Sequence, residues 1–125
     1  EILSGLVGSE MFIRDSPPPA MALKNVVELA LSDVAGCIKV DDTAPGIEEG
    51  RRAGMWTVGL LLSGNAAGLT LDEYLSLDDA GRQQARERAS QELAPAAPHY
   101  LIDTVADLPG VIADIETRLA AGQRP

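Results

Sequence analysis

Residues 36–50 read GCIKVDDTAPGIEEG. The apolar run Cys37–Val40 predicts a short strand that ends at two adjacent carboxylates, Asp41 and Asp42. The residues from Gly46 onward predict a polar helix, and Gly54 stands where a helix-terminating glycine belongs. In an open parallel α/β sheet, ligands bind just beyond the carboxyl ends of the strands. This stretch therefore predicts an α/β protein with a ligand site at the acidic pair.

The rest of the chain alternates between helical and strand patterns. Helices are predicted over Met21–Leu31, over Leu71–Leu93 with a break near Ser76–Asp79, and over Asp107–Ala121. Further strands are predicted over Met55–Leu62 and His99–Ile102, and Ser63-Gly64-Asn65 predicts a loop. Strands that alternate with helices form a parallel sheet, and such a sheet is covered by helices on both faces. We therefore expect this architecture.

Composition excludes several classes of partner. The chain has 125 residues and a net charge of −9, which argues against nucleic acid or an anionic membrane surface as a partner. No apolar run approaches the roughly 18 residues of a membrane span. The N-terminus lacks the basic region of a signal peptide. Cys37 is the one cysteine and can form no internal disulfide, so we expect a reducing, cytoplasmic location.

The acidic pair has two interpretations. Adjacent like charges repel each other, and a bound cation relieves that repulsion, so Asp41 and Asp42 favour a site for Mg²⁺, which prefers carboxylate oxygens. Alternatively, both aspartates form only a capped turn. Thr43 either hydrogen-bonds a phosphate or caps the following helix.

Other candidate residues favour structural roles. Lys39 is expected to be a strand residue with a solvated tip, and Trp56 is expected to pack in the core. His99 has no acidic or nucleophilic partner at a recognisable spacing, so a structural role is predicted. The charged residues Arg82, Arg86, Glu87, Arg88 and Glu92 are expected to form a solvated helical face.

The N-terminal segment has a different character. Residues 6–16, LVGSEMFIRDS, show no clear helical or strand period. They resemble the translation of a DNA adapter used in sequencing, which carries cysteine where Phe12 stands. We therefore predict that residues 1–16 are an artefactual tail and that residues 17–125 form a partial domain.

Several motifs occur together in order: KVDDTAPGIEEG, AGMWTVG over 53–59, SGN over 63–65, and HYLID over 99–103. Residues 17–125 thereby resemble the C-terminal part of the phosphonatase (phosphonoacetaldehyde hydrolase) family, within the haloacid dehalogenase superfamily. The resemblance implies the C-terminal half of a Rossmann-like core without its cap domain. It also implies Mg²⁺-dependent cleavage of the carbon–phosphorus bond of phosphonoacetaldehyde, a small phosphonate.

The resemblance also implies roles for three residues. The metal-binding aspartate of the family's fourth motif falls on Asp42, with Asp41 beside it in a supporting role. Thr43 matches the small polar residue that follows, in the phosphate and metal loop. The family's nucleophilic Asp-x-Asp motif and its Schiff-base lysine on the cap have no counterpart here, and Ser16 stands at the position of the phosphate-binding arginine. We therefore expect an inactive fragment whose parent is a homodimer.

Three alternatives come from other classes. A haloacid dehalogenase-type phosphatase for monoesters is the closest, since the cap that carries much of the specificity is missing. A non-catalytic interaction module would use the acidic pair only as a turn. A phosphorylation-receiver domain also has an acidic pair at the end of a strand. It needs a lysine at the end of its last strand as well, and no lysine follows Lys39, which argues against this alternative.

Overall fold

The structure is a computed structural model that describes residues 3–4, 20–30, 32–63 and 68–125. The adapter-like residues 6–16 and the predicted loop residues Gly64 and Asn65 lie outside these ranges. Leu31, the predicted last residue of the first helix, also lies outside them.

The described residues form a four-stranded parallel sheet and five α-helices. The strands are β1 (Leu3–Ser4), β2 (Cys37–Asp41), β3 (Trp56–Leu60) and β4 (Tyr100–Ile102), in the spatial order β1-β2-β3-β4. The helices are α1 (Ala20–Glu28), α2 (Ala44–Ala53), α3 (Leu71–Ser76), α4 (Asp79–Leu93) and α5 (Leu108–Ala120). The predicted α/β class and parallel sheet are confirmed.

Helices cover both faces of the sheet. On one face, Ile38, Trp56 and Val58 form a buried cluster with Val111 and Ile115 of α5. Side chains of neighbouring strand residues point to opposite faces, so Lys39 and Thr57 point away from α5.

The second face lies under α2 and α4. A Cβ atom added to Gly50 of α2 would lie 2.6 Å from Lys39 Cβ and 2.9 Å from Thr57 Cγ2. One added to Gly59 would lie 3.0 Å from Leu93 Cδ1 at the end of α4. The prediction of a sheet between two helical layers is therefore confirmed, and α2 packs directly on the strand that ends in the acidic pair.

Capping residues set the ends of the helices. The Thr43 side chain accepts a hydrogen bond from the Gly46 N–H, and Pro45 in the first turn suits a helix start, so α2 begins two residues before the predicted start. Gly54 ends α2 in the left-handed conformation, with φ +86°, as predicted. The predicted break between α3 and α4 is confirmed, and the Asp78 side chain caps α4.

The outer edge of β2 carries a short neighbour. Leu3 pairs with Cys37 and Ser4 with Ile38, both in parallel register. This neighbour lies within the segment predicted to be an artefactual tail. The tail itself stays a prediction.

None of the helices in the described part of the chain is long and apolar enough to cross a membrane.

Candidate functional site

The acidic pair lies at the carboxyl edge of the sheet, where β2 passes into α2. Asp41 is the last residue of β2, Asp42 and Thr43 form the turn, and α2 begins at Ala44. Asp103 follows β4 at the same edge, because all the strands run parallel. The position is the one that the sequence predicts for a ligand site in a parallel sheet.

The two carboxylates have different surroundings. Asp41 is 5% exposed, and its Oδ1 accepts hydrogen bonds from Thr43 N–H at 2.9 Å and from Thr43 Oγ1–H at 2.8 Å. Its Oδ2 lies 3.3 Å from Lys39 Nζ. Asp42 is partly exposed. Asp41 therefore points into the protein, and Asp42 is the carboxylate of the pair that solvent reaches.

The expectation that Lys39 has a solvated tip is wrong. Lys39 is 1% exposed, and its ammonium pairs with Asp41 beneath α2. A buried ammonium is costly unless a carboxylate compensates its charge, and Asp41 provides that compensation. Gly50 makes the burial possible, since a side chain at that position would collide with the lysine.

Thr43 joins the turn to the helix. Its hydroxyl donates to Asp41 Oδ1, and Thr43 Oγ1 in turn accepts the hydrogen bond of Gly46 N–H at 3.2 Å. The helix-capping interpretation of Thr43 is therefore realised in the structure. A contact with phosphate stays a prediction.

The side chains at the turn offer few ligands for a metal ion. Among the described residues, no three or more histidine, cysteine, aspartate or glutamate side chains are grouped so as to hold a metal ion. Both oxygens of Asp41 already have partners within the protein. Mg²⁺ often keeps several waters and takes only one or two carboxylates. Of the two aspartates, the partly exposed Asp42 is therefore the one placed to take part in a hydrated Mg²⁺ site, with Asp41 as its support, and both roles stay predictions.

His99 lies at the opposite end of the strands, just before β4. Its Nδ1 accepts a hydrogen bond from Thr57 N–H at 3.0 Å, and its own backbone N–H donates to Thr57 Oγ1 at 3.2 Å. Burial and the nearby positive charges of Arg51 and Arg118 lower the pKa of the imidazole. These contacts agree with the structural role predicted for His99. Trp56, which is fully buried, packs edge-on against the imidazole, with ring centroids 5.1 Å apart.

An ion pair at the carboxyl edge was missed by the sequence analysis. The Arg86 guanidinium donates from Nε and Nη2 to both oxygens of Asp103, at 2.9 to 3.0 Å. These hydrogen bonds raise the pKa of Arg86. Arg86 therefore keeps about one-third of its side chain exposed, but it is held by an ion pair that the expectation of a solvated face did not include. A pairing across 17 residues leaves no local sequence signal, although Asp103 stands at a strand end like Asp41.

Arg86 also borders an open groove of about 360 Å³ along α4. The groove is lined by Leu61, Gln83, Arg86, Glu87, Ser90 and Gln91. None of the residues of the acidic turn lines it, so the groove and the turn are separate features of the carboxyl edge.

Comparisons with known proteins agree on one group of enzymes. The chain is 74% identical over 123 residues to phosphonoacetaldehyde hydrolase from Bordetella pertussis and 69% identical over 109 residues to that from Vibrio cholerae. These matches cover 98% and 87% of the chain, but only 45% and 40% of the relatives. The chain thus spans less than half the length of the curated relatives it matches. A match over 123 of 125 residues extends into the segment 1–16.

A solved structure shows the same similarity in three dimensions. A phosphonoacetaldehyde hydrolase-like protein from Oleispira antarctica matches with a TM-score of 0.84 and 53% identity, over 91% of this chain and 41% of that one. A scan against protein-family models finds no match. The described fold is therefore like that of part of this phosphonoacetaldehyde hydrolase-like protein, in agreement with the partial α/β core that the sequence resemblance implied.

Proposed function

We propose that the chain is the C-terminal part of a phosphonoacetaldehyde hydrolase and that its parent cleaves the carbon–phosphorus bond of phosphonoacetaldehyde to give acetaldehyde and phosphate. The observation that supports this most strongly is the 64–74% identity to Bordetella enzymes of that name, across almost the whole chain. The acidic turn at the carboxyl edge of the sheet supports it independently, because its position suits phosphoryl chemistry.

In this proposal Asp42 holds Mg²⁺ at the edge of the sheet. Bound Mg²⁺ would supply positive charge that neutralises the phosphoryl oxygens of the substrate. Asp41 supports Asp42 from inside the protein, and Thr43 fixes the loop beside the phosphate. The nucleophilic aspartate and the lysine that forms the Schiff base belong to the rest of the parent enzyme.

The metal site is tested by titrating the chain with MgCl₂ and following the amide signals of Asp42 and Thr43 by NMR. We expect weak binding, at about millimolar Mg²⁺, because one accessible carboxylate with water ligands makes a shallow site. Asp42→Asn should weaken the response further. Glu116→Gln removes an exposed carboxylate from α5 and serves as the control, in which the response to MgCl₂ should be unchanged. Tight and selective binding would mean that ligands have been missed.

The activity is tested with phosphonoacetaldehyde in a coupled assay that detects acetaldehyde. The chain alone should show no turnover above background, because covalent catalysis without its nucleophile loses the pathway itself. Turnover that disappears in Asp42→Ala would contradict the proposal that the chain is part of an enzyme whose nucleophile lies elsewhere.

Three further properties belong to the same proposal. The substrate is a small phosphonate, and neither nucleic acid nor a membrane is a partner, in keeping with the net charge of −9. The parent enzyme is a homodimer located in the cytoplasm. Size measurement of the full-length parent by light scattering would test its oligomeric state.

A further inference from the structure

A buried ion pair lies directly beneath the acidic turn. The side chains of Lys39 and Asp41 are 2% and 3% exposed, and their charged groups are 3.3 Å apart. The stem of the lysine is confined, because Gly50 of α2 lies so close that a Cβ atom there would be 2.6 Å from Lys39 Cβ. Removing one member of such a pair leaves the other charge uncompensated in the interior. The ammonium therefore holds the carboxylate in place.

The same carboxylate holds the turn. While Oδ2 of Asp41 faces the lysine, Oδ1 accepts both hydrogen bonds of Thr43, from its N–H and from its hydroxyl. Gly46 leaves space for this arrangement, since a Cβ atom on it would lie 2.0 Å from Oδ2. Asp42 stands between Asp41 and Thr43, so the residues on both sides of it are fixed.

We propose that Lys39 is a positioning residue for Asp42. Its ammonium holds Asp41, Asp41 holds Thr43, and the turn between them presents the Asp42 carboxylate at the edge of the sheet in one conformation. The functional part of this inference rests on the metal role of Asp42 proposed above. The structural part, the dependence of the turn on Lys39, is measurable without any metal.

The first test replaces Lys39 by methionine, which keeps most of the length of the side chain but not the charge. Hydrogen exchange of the Thr43 amide, measured relative to the core amide of Val58, should become about tenfold faster, and the apparent Kd for MgCl₂ should rise by a similar factor as the competent turn becomes less populated. Lys24→Met is the matched control. Lys24 is exposed and pairs with Glu28 one helical turn away, so both measurements should stay as in the unchanged chain.

The second test separates positioning from a general loss of packing. In the double variant Lys39→Met with Asp41→Asn, neither member of the pair carries a charge, and the asparagine oxygen is free to accept from Thr43, so slow exchange at Thr43 should return. In Asp41→Asn alone, the ammonium draws the asparagine oxygen towards itself and away from Thr43. Exchange at Thr43 should therefore be faster in the single variant Asp41→Asn than in the double variant. Should Lys39→Met fail to fold, this comparison decides.

Two results would overturn the inference. The first is an unchanged Thr43 exchange rate and an unchanged Mg²⁺ response in Lys39→Met. The second is the opposite order, with slower exchange in Asp41→Asn than in the double variant, which is expected if Lys39 only fills space. A chain that shows no Mg²⁺ response at Asp42 would instead refute the metal role, and a Thr43 exchange rate that still depended on Lys39 would then reduce the inference to its structural part.

Discussion

Replacing Gly46 by alanine should destabilise the chain, although glycine-to-alanine changes usually stabilise helices. Gly46 lies in the first turn of α2, over the Asp41 carboxylate. An added Cβ atom would lie 2.0 Å from Oδ2, 2.1 Å from Cγ and 2.4 Å from Oδ1 of Asp41. These separations are far below van der Waals contact, so either the carboxylate leaves its site or α2 moves away from the sheet.

The magnitude follows from two opposing effects. Alanine gains up to about 1 kcal/mol over glycine in a helix. Displacing the carboxylate weakens two hydrogen bonds from Thr43, at about 1.5–3 kcal/mol each for a charged acceptor. It also disturbs the pair with Lys39, and breaking a buried pair costs about 3–5 kcal/mol. If α2 moves so that about half of the hydrogen-bond and ion-pair energy is retained, the free energy of unfolding falls by about 3 kcal/mol after the gain from alanine is subtracted. For a chain of this size, that corresponds to a fall of about 10 °C in Tm.

Urea unfolding followed by tryptophan fluorescence measures this loss directly. Trp56 is the only tryptophan in the sequence and is fully buried, so its emission reports on the core. Gly110→Ala is the matched control, because Gly110 lies in the first turn of α5 with nothing within 4 Å of an added Cβ atom. The control should be as stable as the unchanged chain or slightly more so. A Gly46→Ala variant as stable as this control would refute the packing described for Asp41.

Four further outcomes are expected. Burial and nearby arginines lower the pKa of His99, so the imidazole takes up a proton more readily in the unfolded chain than in the folded one. The free energy of unfolding should therefore fall as the pH drops below 6.5, the ordinary pKa of histidine. In His99→Asn, the difference between the urea midpoints at about pH 7.5 and pH 5.5 should be smaller than in the unchanged chain. Burial raises the pKa of the Cys37 thiol, so iodoacetamide should modify it at least about tenfold more slowly in the folded chain than in urea, as read by mass spectrometry. Arg86→Lys loses the two-pronged contact with Asp103. Because both side chains are about one-third exposed, solvent screens the pair, so the urea midpoint should fall only slightly and Asp103→Asn should add little. Deleting residues 1–16 removes β1 and leaves the outer edge of β2 without its neighbour. Amide exchange at that edge should become faster, and light scattering should show self-association. Unchanged exchange together with a monodisperse monomer would show that β2 needs no such neighbour.

The fold could be predicted because its signals are local. Alternation of apolar runs and amphipathic segments identified the three longer strands of the sheet, and Gly54 marked the end of α2. Boundaries moved by one or two residues where a capping side chain decided them. Thr43 is the clearest case, since its hydroxyl starts α2 before the residue from which the helix was predicted.

The interior of the site could not be predicted, because it depends on contacts between distant residues. A lysine in a short strand is usually solvated at its tip, and only the two glycines of α2, Gly46 and Gly50, make room for Lys39 and Asp41 beneath the helix. The adjacent carboxylates did indicate where the site lies. Which aspartate is buried and which is accessible could not be predicted, because this depends on how α2 packs on β2.

The order of the strands in the sheet has a consequence for how the chain assembles. Each strand lies beside the strand that precedes it in the sequence, and from β2 to β4 every pairing is parallel. The link from β2 to β3 consists of little more than one helix, so bringing these strands together closes a short loop and costs little chain entropy. The link from β3 to β4 spans two helices and closes a longer loop. Because contacts between segments close in sequence form at a lower entropy cost, we expect β2, α2 and β3 to assemble before β4 and α5 are added.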